Sequence, residues 1–402
     1  MKSNYRYIVK AFMAMAVIAG TTSCDDFLDR EPMSSISPET YYSTAAQLEA
    51  NLNDEYPNVL PSFGQWTYGI FGEDKGTDNQ IEVNANDRYT QDRWKVPHSE
   101  SDNWKFERIY RINFFLSEAL PKFGEDMSGS QNTISGSVAT IKHYIGEMYF
   151  LRAYEYFKKL QLFGDFPIIN QPLADEMEAL REASKRFPRN EVARFIISDL
   201  DKAYAYMSDV DMATTRINKD VAMLVKSRVA LFEATWLQNF KGTAFVPGGE
   251  GWPGASLHNN YQYPSGNIDN EVKYFLEQAV EASKLVADKY KGSLTENTGV
   301  LQQSADDPSN PYFDMFAQED LSDVKEVLLW RQYARGLSTH NINAAAGRGN
   351  YRIGLTRGFV QNFLMKDGTP VYAHGSYADG DGYYMGDKTV AEDRKSTRLN
   401  SS

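Results

Sequence analysis

The chain has 402 residues, 42% of them hydrophobic and 24% charged, with a formal charge of −12. An acidic balance of that size, with no basic cluster to reverse it, argues against nucleic acid as a partner and against electrostatic attachment to anionic membranes. The length suffices to bury a substantial core, and 25 Tyr, 22 Phe and 6 Trp are numerous enough to leave rings for flat recognition surfaces.

Residues 1–23 read as a signal peptide. Lys2, Arg6 and Lys10 form a charged start, and Ala11–Ala19 supplies nine small or apolar residues, far too few to span a bilayer but right for a signal-peptide core. The run ends at Thr21-Thr22-Ser23-Cys24, and Cys24 is the only cysteine in the chain. A small residue before a lone cysteine predicts lipoprotein cleavage and lipidation at Cys24; the alternative is ordinary cleavage with Cys24 as a bystander. With one cysteine no internal disulfide can form, so the core must hold the fold alone.

Residues 24–42 follow as a lipid-anchored, extended segment, and 43–393 read as one domain. Ser43 is a candidate cap for a first helix running to about Tyr56 and stopped by Pro57. Residues 61–101 lack helical period and mix Gly, Asn, Asp and aromatics; a loop that long in a compact fold is usually functional. Helical period returns at Asp102, with Trp104, Ile109, Ile112, Phe115, Leu116 and Leu120 on one face and Gly124 as the stop. A second helix is predicted over 136–163, ended by Gly164-Asp165 with Pro167 beyond. Further helices are predicted after Pro188, from a cap at Asn218 through Trp236, and over 271–290 from Asn270. Between the last two, residues 241–269 are rich in Gly, Pro and aromatics and predict neither helix nor strand. Val327–Trp330 is a candidate strand. The fold class is therefore mostly α, a tetratricopeptide-like helical scaffold with long irregular loops, although no strict repeat of about 34 residues is present. The segment 394–402 has no structural logic and reads as a non-native tail.

The candidate ligand residues are the aromatics and amides of the two irregular stretches, because sugar rings pack their C–H faces on Trp or Tyr while Asn, Asp and Arg satisfy hydroxyls. They are Trp66, Tyr68, Asp78, Asn79, Tyr89 and Trp94 in the first, and Trp252, Asn260, Tyr261 and Tyr263 in the second. For each ring the competing expectation is packing beneath its own loop. Trp104, Trp236 and Trp330 lie in periodic or apolar runs and are expected in the core. The five His are scattered without a zinc pattern, and Asp379-Gly-Asp-Gly382 lacks the later ligands of a calcium loop. No catalytic motif, cofactor fingerprint or metal site is expected. Carboxylates are too many for spacing alone to exclude a hydrolase.

Several segments carry a family resemblance in order along the chain: Cys24-Asp-Asp-Phe-Leu-Asp29 with Pro32, Arg152-Ala-Tyr-Glu-Tyr156 running into Leu162-Phe-Gly-Asp-Phe-Pro167, Asn218 through Trp236, Glu326-Val-Leu-Leu-Trp-Arg331, and Thr356 through Gly368. Together they resemble the SusD/RagB family of outer-membrane nutrient-binding lipoproteins, and Asp25-Asp26 resembles the surface-export signal of Bacteroidetes lipoproteins. The resemblance implies a tetratricopeptide-containing scaffold with an irregular glycan-binding face. It also implies a non-catalytic partner of a SusC-like TonB-dependent transporter, to which oligosaccharides are handed at the outer membrane. Arg152 and Asp165 are expected to be structural. The family pattern is left near Asp393-Arg394, so a carboxy-terminal part is expected to be missing. The alternative function keeps the scaffold and the anchor but makes it a protein- or peptide-binding module.

Overall fold

A computed structural model describes residues 41–63, 72–82, 103–124, 126–207, 212–300, 306–334, 353–364 and 368–370, with 304 and 339. The expected signal peptide, Cys24 and the 394–402 segment lie outside the described residues.

Helix α1 (Ala45–Val59) is capped by Thr44 instead of Ser43: the Thr44 hydroxyl accepts from Gln47 N while Gln47 Oε1 accepts from Thr44 N at 3.0 Å, a reciprocal capping box. Pro57 does not stop this helix. It sits in the last turn, where Leu60 N still closes on Tyr56 O, so the missing proline N–H costs one bond near an end. Helix α2 (Glu107–Phe123) starts after the expected Asp102, because Trp104 and Phe106 are spent on an aromatic cluster with Phe163 and Phe166. Helix α3 (Val138–Phe163), capped by Ser137, ends at Gly164 with φ 67 and ψ −102, a conformation side chains avoid. A short helix α4 (Met177–Ala183) buries no residue. Then come α5 (Arg189–Tyr206), α6 (Lys219–Asn239, capped by Asn218) and α7 (Ile268–Tyr290), capped by Asn267 in place of Asn270.

Helix α3 is the hub: α1, α2 and α5 pack on it, α6 packs on α5, and α7 on α6. This succession of neighbouring helices is the tetratricopeptide-like scaffold. Phe115, Phe123, Phe150, Tyr156, Phe166 and Phe275 are among its fully buried side chains. Trp104 and Trp236, expected in the core, are only partly buried against it. No described helix is long and apolar enough to cross a membrane.

The remaining elements are small. Strand β1 (Gln80–Glu82) pairs antiparallel with β2 (Ile353–Leu355), Ile81 opposite Gly354. Helices α8 (Pro311–Met315) and α9 (Arg357–Gln361) are single turns. Val327–Trp330 is not a strand; its end is held by one residue, with Trp330 N donating to Thr214 O at 3.1 Å and the indole Nε1 to Thr214 Oγ1 at 2.8 Å.

Close approach of α3 and α5 depends on Gly146. A Cβ there would lie 2.7 Å from Met207 Cγ, 2.8 Å from Met207 N and 3.0 Å from Ala203 O, and backbone cannot yield as a side chain can. Gly146→Ala should therefore lower stability by about 1–3 kcal/mol in denaturant unfolding, despite alanine's better helix propensity. An unchanged or raised midpoint would show that the two helices have room to part.

Candidate functional site

The turn after α3 ties three elements together. Asp165 Oδ1 accepts from Arg189 N at the start of α5 at 2.9 Å, and Oδ2 accepts from the Trp252 indole N–H at 2.8 Å. Burial pushes the Asp165 carboxyl above its ordinary range, opposed by those two donors and by the Arg189 and Arg186 guanidiniums. Arg189 itself is buried, and its Nε and Nη2 grip Glu233 of α6 at 2.9–3.2 Å. Its guanidinium lies 4.1 Å from the Trp236 ring centre, and that of Arg186 lies 4.6 Å from Trp104.

The 241–267 segment folds over this turn. It contains one 3-10 turn, Pro253–Ser256, where the sequence predicted no helix. Trp252 is only 5% exposed; it stacks on His258 at 6.0 Å and tilts against Tyr261 at 5.6 Å. A Cβ on Gly254 would meet the Trp252 ring at 2.2 Å, so glycine is what lets the indole lie flat on the chain. The Tyr261 hydroxyl pairs with Asn190, and that of Tyr263 donates to Pro247 O at 2.6 Å.

Between turn and loop lies a cleft of about 490 Å³, lined by Gln161, Leu162, Phe163, Gly164, Asp165, Arg186, Arg189, Trp236, Phe245, Trp252 and Leu257 among others. Phe245 is 61% exposed. Ring faces beside guanidinium and amide groups suit a ligand with apolar C–H faces and hydroxyl edges. Asp165 is the one carboxylate in that lining, and both its oxygens are engaged.

Of the residues predicted from sequence, Trp252 lines the cleft, while Tyr261 and Tyr263 pack behind it. Asn260 adopts a positive φ of 55 on the exposed side of the loop. Asp78 and Asn79 are elsewhere: their carbonyls accept from the Thr356 hydroxyl and, at 2.9 Å, from Thr356 N, which docks β1 on β2. Trp66, Tyr68, Tyr89 and Trp94 lie outside the described residues. Sequence reasoning missed Phe163, Arg186, Arg189, Trp236 and Phe245. For Phe245 a signal existed, since it sits in the same Gly- and Pro-rich loop as Trp252. A second groove, about 650 Å³ and more apolar, runs past Tyr56, Pro57, Leu60, Phe150, Tyr154, Val225 and Trp330. Among the described residues no cluster of His, Cys, Asp and Glu is placed to hold a metal ion.

A family model described as SusD-like, starch-binding and associating with the outer membrane matches residues 26–231. SusD-like protein P2 of Formosa agariphila is 25% identical over 253 residues, 60% of this chain and 46% of the relative. SusD-like protein P25 of the same organism is 25% identical over 233 residues, 53% of this chain and 41% of the relative. The chain thus spans less than half the length of these curated relatives. A crystal structure of a SusD-like protein from Bacteroides fragilis superposes with a TM-score of 0.52 at 18% identity, over 85% of this chain and 57% of that one. A SusD-like carbohydrate binding protein from the same species gives 0.51 at 14% identity, over 84% and 57%. These structures share the fold.

The cleft has a structural wall and a free one, and stability separates them. Trp252→Phe removes the indole N–H and leaves Asp165 Oδ2 unpaired, so it should cost about 1–3 kcal/mol. Phe245→Ala, on the exposed wall, should change stability by less than about 0.5 kcal/mol. Equal losses in a denaturant series would mean that the loop packs differently.

Proposed function

The chain belongs to the SusD/RagB family, whose matching model is described as starch-binding and outer-membrane-associating, and on that premise we propose that it is a non-catalytic, surface-exposed glycan-binding lipoprotein. It is anchored in the outer membrane through Cys24, captures oligosaccharides, and delivers them to a SusC-like TonB-dependent transporter. The observation that carries the binding function is the cleft between the Gly164-Asp165 turn and the 241–257 loop, where Trp236, Phe245 and Trp252 face Arg186 and Gln161. Binding is favoured over hydrolysis because the cleft's carboxylate is already held by two donors, whereas glycoside cleavage needs a pair of available carboxyl groups. The second groove is the feature that favours a peptide ligand, since its walls are mainly apolar side chains and prolines.

Calorimetric titration with an oligosaccharide panel tests this. Phe245→Ala should weaken binding by roughly ten- to a hundredfold, the loss of one stacked ring being about 1–3 kcal/mol. Unchanged affinity in Phe245→Ala with a loss in Trp66→Ala or Trp94→Ala would move the ligand to the 61–98 segment. Release of reducing ends that disappears with a single Asp or Glu substitution would sink the binding function altogether.

The anchor is tested separately. Cys24→Ala should shift the protein from the membrane to the soluble fraction, because the acyl chains are what holds it in the bilayer. Membrane retention at the wild-type level would refute lipidation at this position.

A further inference from the structure

The floor of the cleft holds a cation that the fold uses on one edge only. Arg189 is 3% exposed, and its Nε and Nη2 are both committed to Glu233. A guanidinium carries five N–H donors in a rigid fork, and Nη1 makes no hydrogen bond among the described residues. Gly164 leaves that nitrogen uncovered: a Cβ at this lining position would stand 3.4 Å from Nη1. Arg186 lines the same cleft with its guanidinium on the Trp104 face; it makes no ion pair among the described residues, although Asp165 feels its charge. The amino-terminal end of α5, an 18-residue helix beginning at Arg189, adds the positive end of its dipole at the same place.

The nearby acids do not cancel this. Asp165 gives one oxygen to Arg189 N and the other to Trp252. Glu233 places both oxygens on the far edge of Arg189. Burial also pushes both carboxyls above their ordinary range.

We propose that the cleft selects acidic sugars, taking a ring that bears a carboxylate or sulfate, with the anion between Arg186 and Arg189 Nη1 and the ring against Trp236 and Phe245. This rests on the glycan-binding function proposed above and names its substrate class. Planar guanidiniums match the paired oxygens of a carboxylate or sulfate. Because the whole chain is strongly acidic, selection must come from these short contacts and must weaken with salt.

The test is calorimetry on the full chain with an oligogalacturonide, the same oligosaccharide after carboxyl reduction, a sulfated galactan oligosaccharide and a set of neutral glucans. At least one acidic probe should bind about tenfold or more tighter than the reduced one, and lose that margin at high salt. The carboxylated and sulfated arms identify which anion is read. Arg186→Gln should remove most of the preference, weakening the acidic probe about tenfold or more beyond any change in the reduced one. Tighter binding of reduced or neutral probes overturns the acidic preference and leaves glycan binding standing. Failure of every probe overturns both. An acidic preference that survives Arg186→Gln and a Gly164→Ala protein shown to be folded by its melt would also overturn the assignment to this cleft.

Discussion

Fully buried carboxylates gripped by arginines from other elements set how the helices meet. Asp199 of α5 takes Arg152 of α3, Glu233 of α6 takes Arg189 of α5, Glu271 of α7 takes Arg194 of α5, and Glu147 of α3 takes Arg216 ahead of α6. Each carboxylate has no exposed surface, so none of them can exchange its arginine for water. Such pairs add little net stability over a well-packed apolar contact, but losing one partner costs about 3–5 kcal/mol. Their effect is to penalise any wrong register between helices. Arg152 shows how completely a pair is satisfied: it also donates to Asn113 Oδ1 at 2.9 Å and Asn170 O at 3.1 Å, and lies between Tyr149 and Phe195.

The same chemistry gives different proton affinities from pair to pair. Burial pushes Glu271 up, but hydrogen bonds from Arg194, Asn190 and Ser265 outweigh it and hold the carboxyl below its ordinary range. Burial wins at Glu233, which has only Arg189 to offset it. Glu233 is the pair that borders the cleft. The carboxylate between α5 and α7 is therefore held below its ordinary range, and the one beside the cleft above it.

The parts of the fold governed by local chemistry were legible in the sequence. Pro188 and Asn218 mark the starts of α5 and α6, and Gly164 marks the end of α3, because caps and stops act within a turn. Where two caps compete, the sequence misleads: Asn267 and Asn270 are one turn apart, and the first accepts from the second's N–H at 2.9 Å. The β1–β2 pair joins residues far apart in the chain and leaves no local sign. In the cleft, Trp252 was legible from its Gly- and Pro-rich setting. Trp236 was not, since its helical spacing matches that of a core residue although one side of it stays open. Arg189 was invisible for another reason: what makes it notable is the partner 44 positions away and the bare edge next to Gly164.

The cleft combines a fixed floor with a loosely tied rim. Asp165, Arg189, Glu233 and Trp252 are locked to one another by hydrogen bonds across α5, α6 and the loop, so the floor has no rotamer freedom left to lose when a ligand arrives. Gln161, Arg186, Phe245 and Leu257 are exposed at the rim. Binding to such a site pays for ordering the rim alone, which is the condition under which modest contacts yield useful affinity. It also separates two kinds of change. Substitution at the rim can alter the cleft's lining while the helices stay in register, because no buried partner is orphaned. Substitution at the floor strands a charge or a carboxylate beneath the loop, and the loss then falls on the fold before it reaches the ligand.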